Sequence, residues 1–338
     1  MASEHFRTMN YAQRPKIELH RHLEGAPYRR TFESLAEKNG LDVVEPLSQP
    51  VSAPPGSAYF FDCFVNRRKL VASLDDVRQI ARDVVNAARS EAIAHLELRT
   101  TAAFFCEYSG LPPLTVLDAL VDEARLTAGS MSLAFIFLLR RDIPPDENQG
   151  FRDLLDSELF DQFSAIDVAG DEVGYPLTPF RALFDAVRSR GKKLTLHAGE
   201  WVGPDAVRDA LGFQPDRIGH GIRIIDAPEL IAAAREIGVH FEVCPLSNRR
   251  TLAVPETSVH PIKAMLDAGL NVSVSADDPG VFDSVTADDL AILDALYPTR
   301  DAGFAAAKQT QLFAIDAAFG ISDSRRAELK SLINSAWR

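Results

Sequence analysis

The sequence predicts a parallel (β/α)8 barrel, and three observations carry that expectation. Eight strand-like runs rich in β-branched and apolar residues recur along the 338 residues. Helical patterns that close on glycine separate most of them, and hairpin signals are scarce in the second half. The glycine-rich dinucleotide fingerprint that would support an open doubly wound sheet is absent. The length suggests about two domains by itself, but closed α/β barrels take such a length as one.

"KIEL" from Lys16 is the first strand. About seventy residues separate it from the second, far more than an ordinary connection needs. Within that gap "SQPVSAPPGSAYFFDCF" is proline-rich and then aromatic, so residues of about 45–70 are expected to form an inserted lid over a pocket. "SLDDVRQIARDVVNAARSE" then repeats its apolar residues at helical spacing behind an N-cap at Ser73. The strands "AHLELR", "SLAFIFLL", "AIDVAG", "KLTLH", "RIGH", "VHFEV" and "NVSVSA" follow. Among them lie helices that end on Gly129, Gly191, Gly238 and Gly269, each suited to a left-handed cap. From about Thr286 the pattern is helical. The expected organisation is one domain, 1–338, with a barrel core of about 15–285 and C-terminal helices over 286–338.

A net charge of -12 with no basic block argues against nucleic acid and for a small-molecule partner. "MASEHFRTMNYAQRPK" has no apolar leader core, and "SLAFIFLL" is too short to span a membrane. A cytoplasmic location without membrane association is therefore expected. Cys63, Cys106 and Cys244 form no CxxC pair and read as reduced packing thiols. Oligomeric state is not legible.

In a parallel barrel, functional groups project from the C-terminal ends of the strands. Those ends carry His20 and His22, "AGDE" at 169–172, His197 and Glu200, His220, and Asp277 with Asp278. Alternation along a strand puts His20 and His22 on one face with Arg21 on the other. His197 and Asp277 would enter the same space, and three imidazoles with one carboxylate suit Zn²⁺, although other first-row ions bind similar sets. A lone histidine at a strand end is more often structural, and His95, His240 and His260 are read that way. A paired Asp-Asp is commonly a turn or cap. Convergence of four of the eight histidines on one rim outweighs that alternative.

In this order, "KIELHRHLEGA", "DVAGDE", "TLHAGE", "RIGHG", "EVCPLSN" and "SADDPGVF" resemble the motifs of the adenosine deaminase family of the amidohydrolase superfamily. The resemblance runs from about Pro15 into the C-terminal helices. It implies one Zn²⁺ per chain, held by His20, His22, His197 and Asp277. Superfamily members with two metals generally carry a lysine on the fourth strand, and "AIDVAGDE" has none.

The resemblance also implies a mechanism, replacement of the 6-amino group of a purine by oxygen. Zn²⁺ makes a water nucleophilic by lowering its pKa toward about 7. His220 acts as general base or orients that nucleophile, and Glu200 protonates ring N1 from a carboxyl whose pKa burial raises. Asp278 hydrogen-bonds N7, and the Gly170 N–H meets N3. Phe60, Phe61 and Phe64 form an apolar wall or gate over the base, or else the core of a small inserted helix pair. The H-x-E and P-C-x-x-C signature of a different class of zinc deaminases is absent.

Glu24 bears on the substrate. In familiar adenosine deaminases an aspartate here meets the ribose 5'-hydroxyl, and the glutamate is one methylene longer. "HLEG" and "CPLSN" are more similar to bacterial adenine deaminases, "HRHL" and "DDPGV" to bacterial adenosine deaminases. "LELRTTAAF" lacks the usual Ser-Pro, and "SADDP" has alanine where threonine or serine is commoner. Adenosine is the expected substrate; adenine and modified nucleosides such as aminodeoxyfutalosine stay open. Glu200 beside Asp278 weighs against a plain hydrolase of non-purine substrates, and the complete set of ligands, base and acid weighs against a silent binding protein.

Overall fold

Eight parallel strands in chain order form the sheet of the computed structural model, which describes residues 11–148 and 150–338. They are β1 (Lys16–His22), β2 (Ile93–Thr100), β3 (Ser132–Arg140), β4 (Phe163–Ala169), β5 (Lys193–Ala198), β6 (Arg217–His220), β7 (His240–Val243) and β8 (Asn271–Val274). Each pairs with the next. The ring closes between β8 and β1 through one bridge, Arg21 with Asp277. There the His22 N–H donates to the Asp277 carbonyl and the Asp277 N–H to the His20 carbonyl, both at 3.0 Å. The closing seam therefore lies where the metal ligands were expected. Residues 1–10, where most of the expected leader-free terminus falls, lie outside the described residues.

The helices that frame the barrel are α1 (Arg29–Asn39), α2 (Ser57–Arg68), α3 (Leu74–Ser90), α4 (Pro113–Ala128), α5 (Arg181–Ser189), α6 (Pro204–Leu211), α7 (Pro228–Ile237), α8 (Pro245–Arg250), α9 (Ile262–Asp267), α10 (Thr286–Ala295), α11 (Arg300–Ala317) and α12 (Asp323–Ala336), with a further eight-residue helix over Ala102–Ser109 and shorter turns between. In α3 the Ser73 cap forms a capping box with Asp76. The helix buries Val77, Ile80, Ala81, Val84, Val85 and Ala88 as one stripe. Each valine or isoleucine of that stripe contributes about 1.5–3 kcal/mol on full burial. Gly238 ends α7 in the left-handed conformation, its N–H on the Ala234 carbonyl. Gly129, by contrast, follows α4 with ψ at -120°, outside the left-handed cap geometry.

Between α1 and α3 the inserted segment carries one helix, α2, not the helix pair considered from the sequence. Its buried Arg67 ties it to the rim: Nε donates to the Leu47 carbonyl, Nη1 to that of Gly25 and Nη2 to that of Gly280. Cys63, Cys106 and Cys244 are free and buried, in keeping with packing thiols. At the other end α11 packs on β1 and β8, where Gln311 accepts from the Ile17 N–H. Among the described residues no helix is long and apolar enough to cross a membrane.

Candidate active site

Four imidazoles meet at the C-terminal rim. The His20 ring lies 4.6 Å from that of His197, 4.9 Å from that of His220 and 5.3 Å from that of His22, centroid to centroid. Asp277 Oδ1 stands 3.3 Å from Nε2 of both His20 and His22, placed there by the closing seam. Asp277 and His220 both hold positive φ, 63° and 59°, a conformation that costs a side-chain-bearing residue energy and clusters at functional sites. Gly219 is what lets the rings approach: a Cβ there would lie 3.0 Å from His20 Cε1 and 3.2 Å from His197 Nδ1.

Carboxylates stand behind two of the rings. His20 Nδ1 is 2.7 Å from Glu242 Oε2, and His197 Nδ1 is 3.0 Å from Asp167 Oδ1. Arg99 joins the two, with Nη1 2.7 Å from Asp167 and Nη2 2.6 Å from Glu242. Arg217 pairs in turn with Glu97 and Glu242. All these charges are buried inside the barrel, each beside an opposite one, as burial requires. None of Arg99, Asp167 or Glu242 was assigned a role from the sequence. The available signal was a charged residue inside an otherwise apolar strand run, "LELR", "AIDVA" and "HFEV".

These residues fit a divalent cation. With Nδ1 of His20 and His197 held by carboxylates, Nε2 is the nitrogen each ring offers. His20 Nε2 is buried and has no hydrogen-bond partner among the described residues. Acceptor atoms of His20, His22 and His197 all lie within 4.8 Å of one another. Among the described residues two other groupings meet the same distance limit, His20–His220–Cys244–Asp277 and His22–Asp277–Asp278. Burial pushes the Cys244 thiol well above its usual range, and burial with the Asp277 charge does the same to Asp278. The three-imidazole set with Asp277 is the better one, and its nitrogen-rich character suits zinc.

Glu200 lies beside this cluster, its Oε2 3.5 Å from His220 Nε2. Burial, and then the charges of Asp277 and Glu172, push its carboxyl well above the ordinary range. Glu172, the last residue of "AGDE", fixes the loop: its Oε2 accepts from the N–H groups of Glu200, Trp201 and Val202 at 3.0–3.1 Å. Asp278 Oδ1 is buried without a hydrogen-bond partner among the described residues. Burial also raises Glu24 to about 7, although its Oε1 accepts from Thr100 Oγ1 and the Thr101 N–H.

A cavity of about 430 Å³ opens over the cluster. Every site residue expected from the sequence lines it except His20, which lies beneath His22 and His197. Gly170 lines one wall, and Phe60, Phe61 and Phe64 the lid side. Phe60 packs with Cys63, Val281 and Phe282, while Phe61 is 38% exposed and 6.1 Å from the Trp201 ring.

A family model described as "Adenosine deaminase" matches residues 15–336. The adenosine deaminase of Vibrio parahaemolyticus is 30% identical over 329 residues, covering 94% of this chain and 97% of that protein. The Escherichia coli (strain SE11) adenosine deaminase is 30% identical over 281 residues, 79% of this chain and 83% of the relative. Among solved structures, an adenine deaminase from Arthrobacter aurescens superposes with a TM-score of 0.84 at 24% identity, over 95% of this chain and 98% of that one. A Zn-bound amidohydrolase from Burkhoderia ambifaria gives a TM-score of 0.79 at 25% identity, over 99% and 95%. An Arabidopsis N6-mAMP deaminase gives 0.83 at 24%, over 97% and 99%.

Proposed function

The chain belongs to the adenosine deaminase family, and on that premise we propose that it hydrolyses adenosine to inosine and ammonia with one Zn²⁺ per chain. The enzyme is a hydrolytic deaminase of a 6-aminopurine; the particular purine and the metal are what the proposal adds. The observation that carries it is the convergence of His20, His22, His197 and Asp277 beside Glu200, a buried carboxyl whose pKa burial pushes well above the ordinary range.

Zn²⁺ on those four residues would supply a water made nucleophilic near neutral pH, its pKa lowered toward about 7. Glu200 carries the proton that purine N1 must receive before C6 accepts oxygen, and Glu172 holds its loop so that the carboxyl stays aimed at the cavity. Asp278, whose carboxyl burial and the Asp277 charge push well above the usual range, is placed to donate to N7. Gly170 offers its backbone N–H to N3. The apolar wall of Phe60, Phe61 and Phe64 covers the base and excludes water, which strengthens each polar contact inside.

Cavity size favours a nucleoside: about 430 Å³ is within the range that encloses ligands larger than a bare base. A second reading, adenine, draws on Glu24. Its Oε1 is already engaged by Thr100 and Thr101, which leaves a single carboxylate oxygen for a ribose hydroxyl.

The deciding experiment incubates zinc-loaded protein with adenosine, adenine and aminodeoxyfutalosine, following ammonia and the purine ultraviolet spectrum. Adenosine is expected to give the highest kcat/KM. Adenine in first place would establish the second reading, and no ammonia from any of them would overturn the proposal.

A further inference from the structure

A chain of hydrogen bonds with a fixed direction ends on His220. It starts at the Ile262 backbone N–H, which donates to His260 Nδ1 at 3.1 Å. A backbone amide can only donate, so His260 Nδ1 carries the lone pair. Burial holds this imidazole down at about 3, hence neutral, and its single proton is on Nε2. That N–H faces Asn248 Oδ1 at 3.3 Å and donates to it. With the oxygen of the Asn248 amide so identified, its NH₂ is the group 3.1 Å from His220 Nδ1. The amide then donates, and His220 Nδ1 accepts. Both Asn248 and His260 are buried, with at most 1% of their surface exposed, so solvent does not compete for these contacts.

We infer that Asn248 and His260 are positioning residues that hold His220 as the tautomer with its proton on Nε2, facing Glu200 Oε2 at 3.5 Å and Asp277 Oδ2 at 3.8 Å. A neutral imidazole of that form presents a donor to the cavity and has no lone pair there with which to take a proton. Between the two roles considered for His220, the relay selects hydrogen-bond donor to the incoming oxygen over general base. It also removes His220 from the competing metal-ligand grouping, since a protonated Nε2 does not coordinate. The sequence carried both relay residues in view, Asn248 in "CPLSN" and His260 as a structural histidine, without joining them.

The tautomer does not depend on the deaminase reading; what the donor accomplishes does. The test uses zinc-loaded protein labelled with ¹⁵N-histidine, the His220 signals being identified by their loss in His220→Gln. The expected wild-type pattern is a protonated Nε2 and an unprotonated Nδ1. A protonated Nδ1, or a metal-shifted Nε2, overturns the inference. Asn248→Leu removes the amide donor at similar size. It should move the His220 shifts toward the average of both tautomers and lower kcat about 10–100-fold with KM unchanged. His260→Phe, which frees the Asn248 amide to turn over, should show the same signature. A fall in kcat with the tautomer unmoved overturns the positioning role, and a moved tautomer with kcat unmoved overturns the donor's part in turnover. Correct wild-type protonation in a protein that releases no ammonia would fault the deaminase reading and uphold this one.

Discussion

Glu242 Oε2 lies 2.7 Å from His20 Nδ1, with both side chains fully buried. That contact keeps the Nδ1 proton in place and turns Nε2 toward Asp277. Glu242→Gln should therefore weaken zinc binding about 10–100-fold, and Asp167→Asn, behind His197, should do likewise. Competition with a chromophoric chelator measures this directly. Because Glu242 also faces Arg99 and Arg217, its variant should lower Tm as well, and affinity is to be read where circular dichroism shows it folded. Unchanged zinc affinity in both variants would remove these carboxylates from the site.

The barrel and the rim cluster were legible because strand periodicity and strand-end position are local properties of the chain. His20 and His22 announce themselves by alternation, and Glu200 by its place three residues after His197. What supports them was not legible, for a physical reason. Asp167, Glu242 and Arg99 come from three strands, and only closure of the barrel shows that one guanidinium faces both carboxylates. Likewise "AGDE" revealed a strand end, whereas the three N–H groups that Glu172 caps belong to a loop almost thirty residues away. The lid helix is an intermediate case: its aromatics were visible, but its anchor, Arg67, reads as an ordinary helix-end cation until its partners at Gly25 and Gly280 are seen.

Stability should fall on the acid side through histidines remote from the metal ligands. His240, bonded to Ser273 Oγ at 2.9 Å, is held down to about 3 by burial and then by the Arg217 charge, against 6.5 unfolded. Below 6.5 the unfolded chain takes up a proton that the folded chain refuses. The folded state thus loses up to about 1.4 kcal/mol per pH unit from this group until its own pKa is reached. His240→Gln should flatten the dependence of Tm on pH between 6.5 and 4 relative to wild type. An equally steep curve for the variant would exclude His240 as a source of acid sensitivity.

Gly280 ties the lid to the rim and has no room for a side chain. A Cβ would stand 2.1 Å from the Pro27 carbonyl oxygen and 2.5 Å from that of Ala26, both backbone atoms unable to swing aside. The Gly280 carbonyl meanwhile accepts from Arg67 of α2 at 2.8 Å. Gly280→Ala is expected to cost about 1–3 kcal/mol or more by overpacking. Displacement of α2 should also raise KM, because Phe60, Phe61 and Phe64 travel with it. Denaturant unfolding and steady-state kinetics check the two effects, and a variant with wild-type stability and KM would contradict the packing argument.

Glu200 and Asp277 separate proton delivery from metal holding. Glu200→Gln preserves size but has no acidic proton to give. Its backbone N–H can still donate to Glu172, so the loop should stay in place. The expected result is a folded protein with normal zinc content and kcat lower by about 10²–10⁴-fold. Asp277→Ala removes the carboxylate 3.3 Å from His20 Nε2 and from His22 Nε2, and should lose zinc together with turnover. Metal analysis beside kinetics on both variants distinguishes the roles. Glu200→Gln retaining near-wild-type turnover would transfer the proton-donor role to another group lining the cavity, such as Asp278, whose carboxyl burial and the Asp277 charge push well above the usual range.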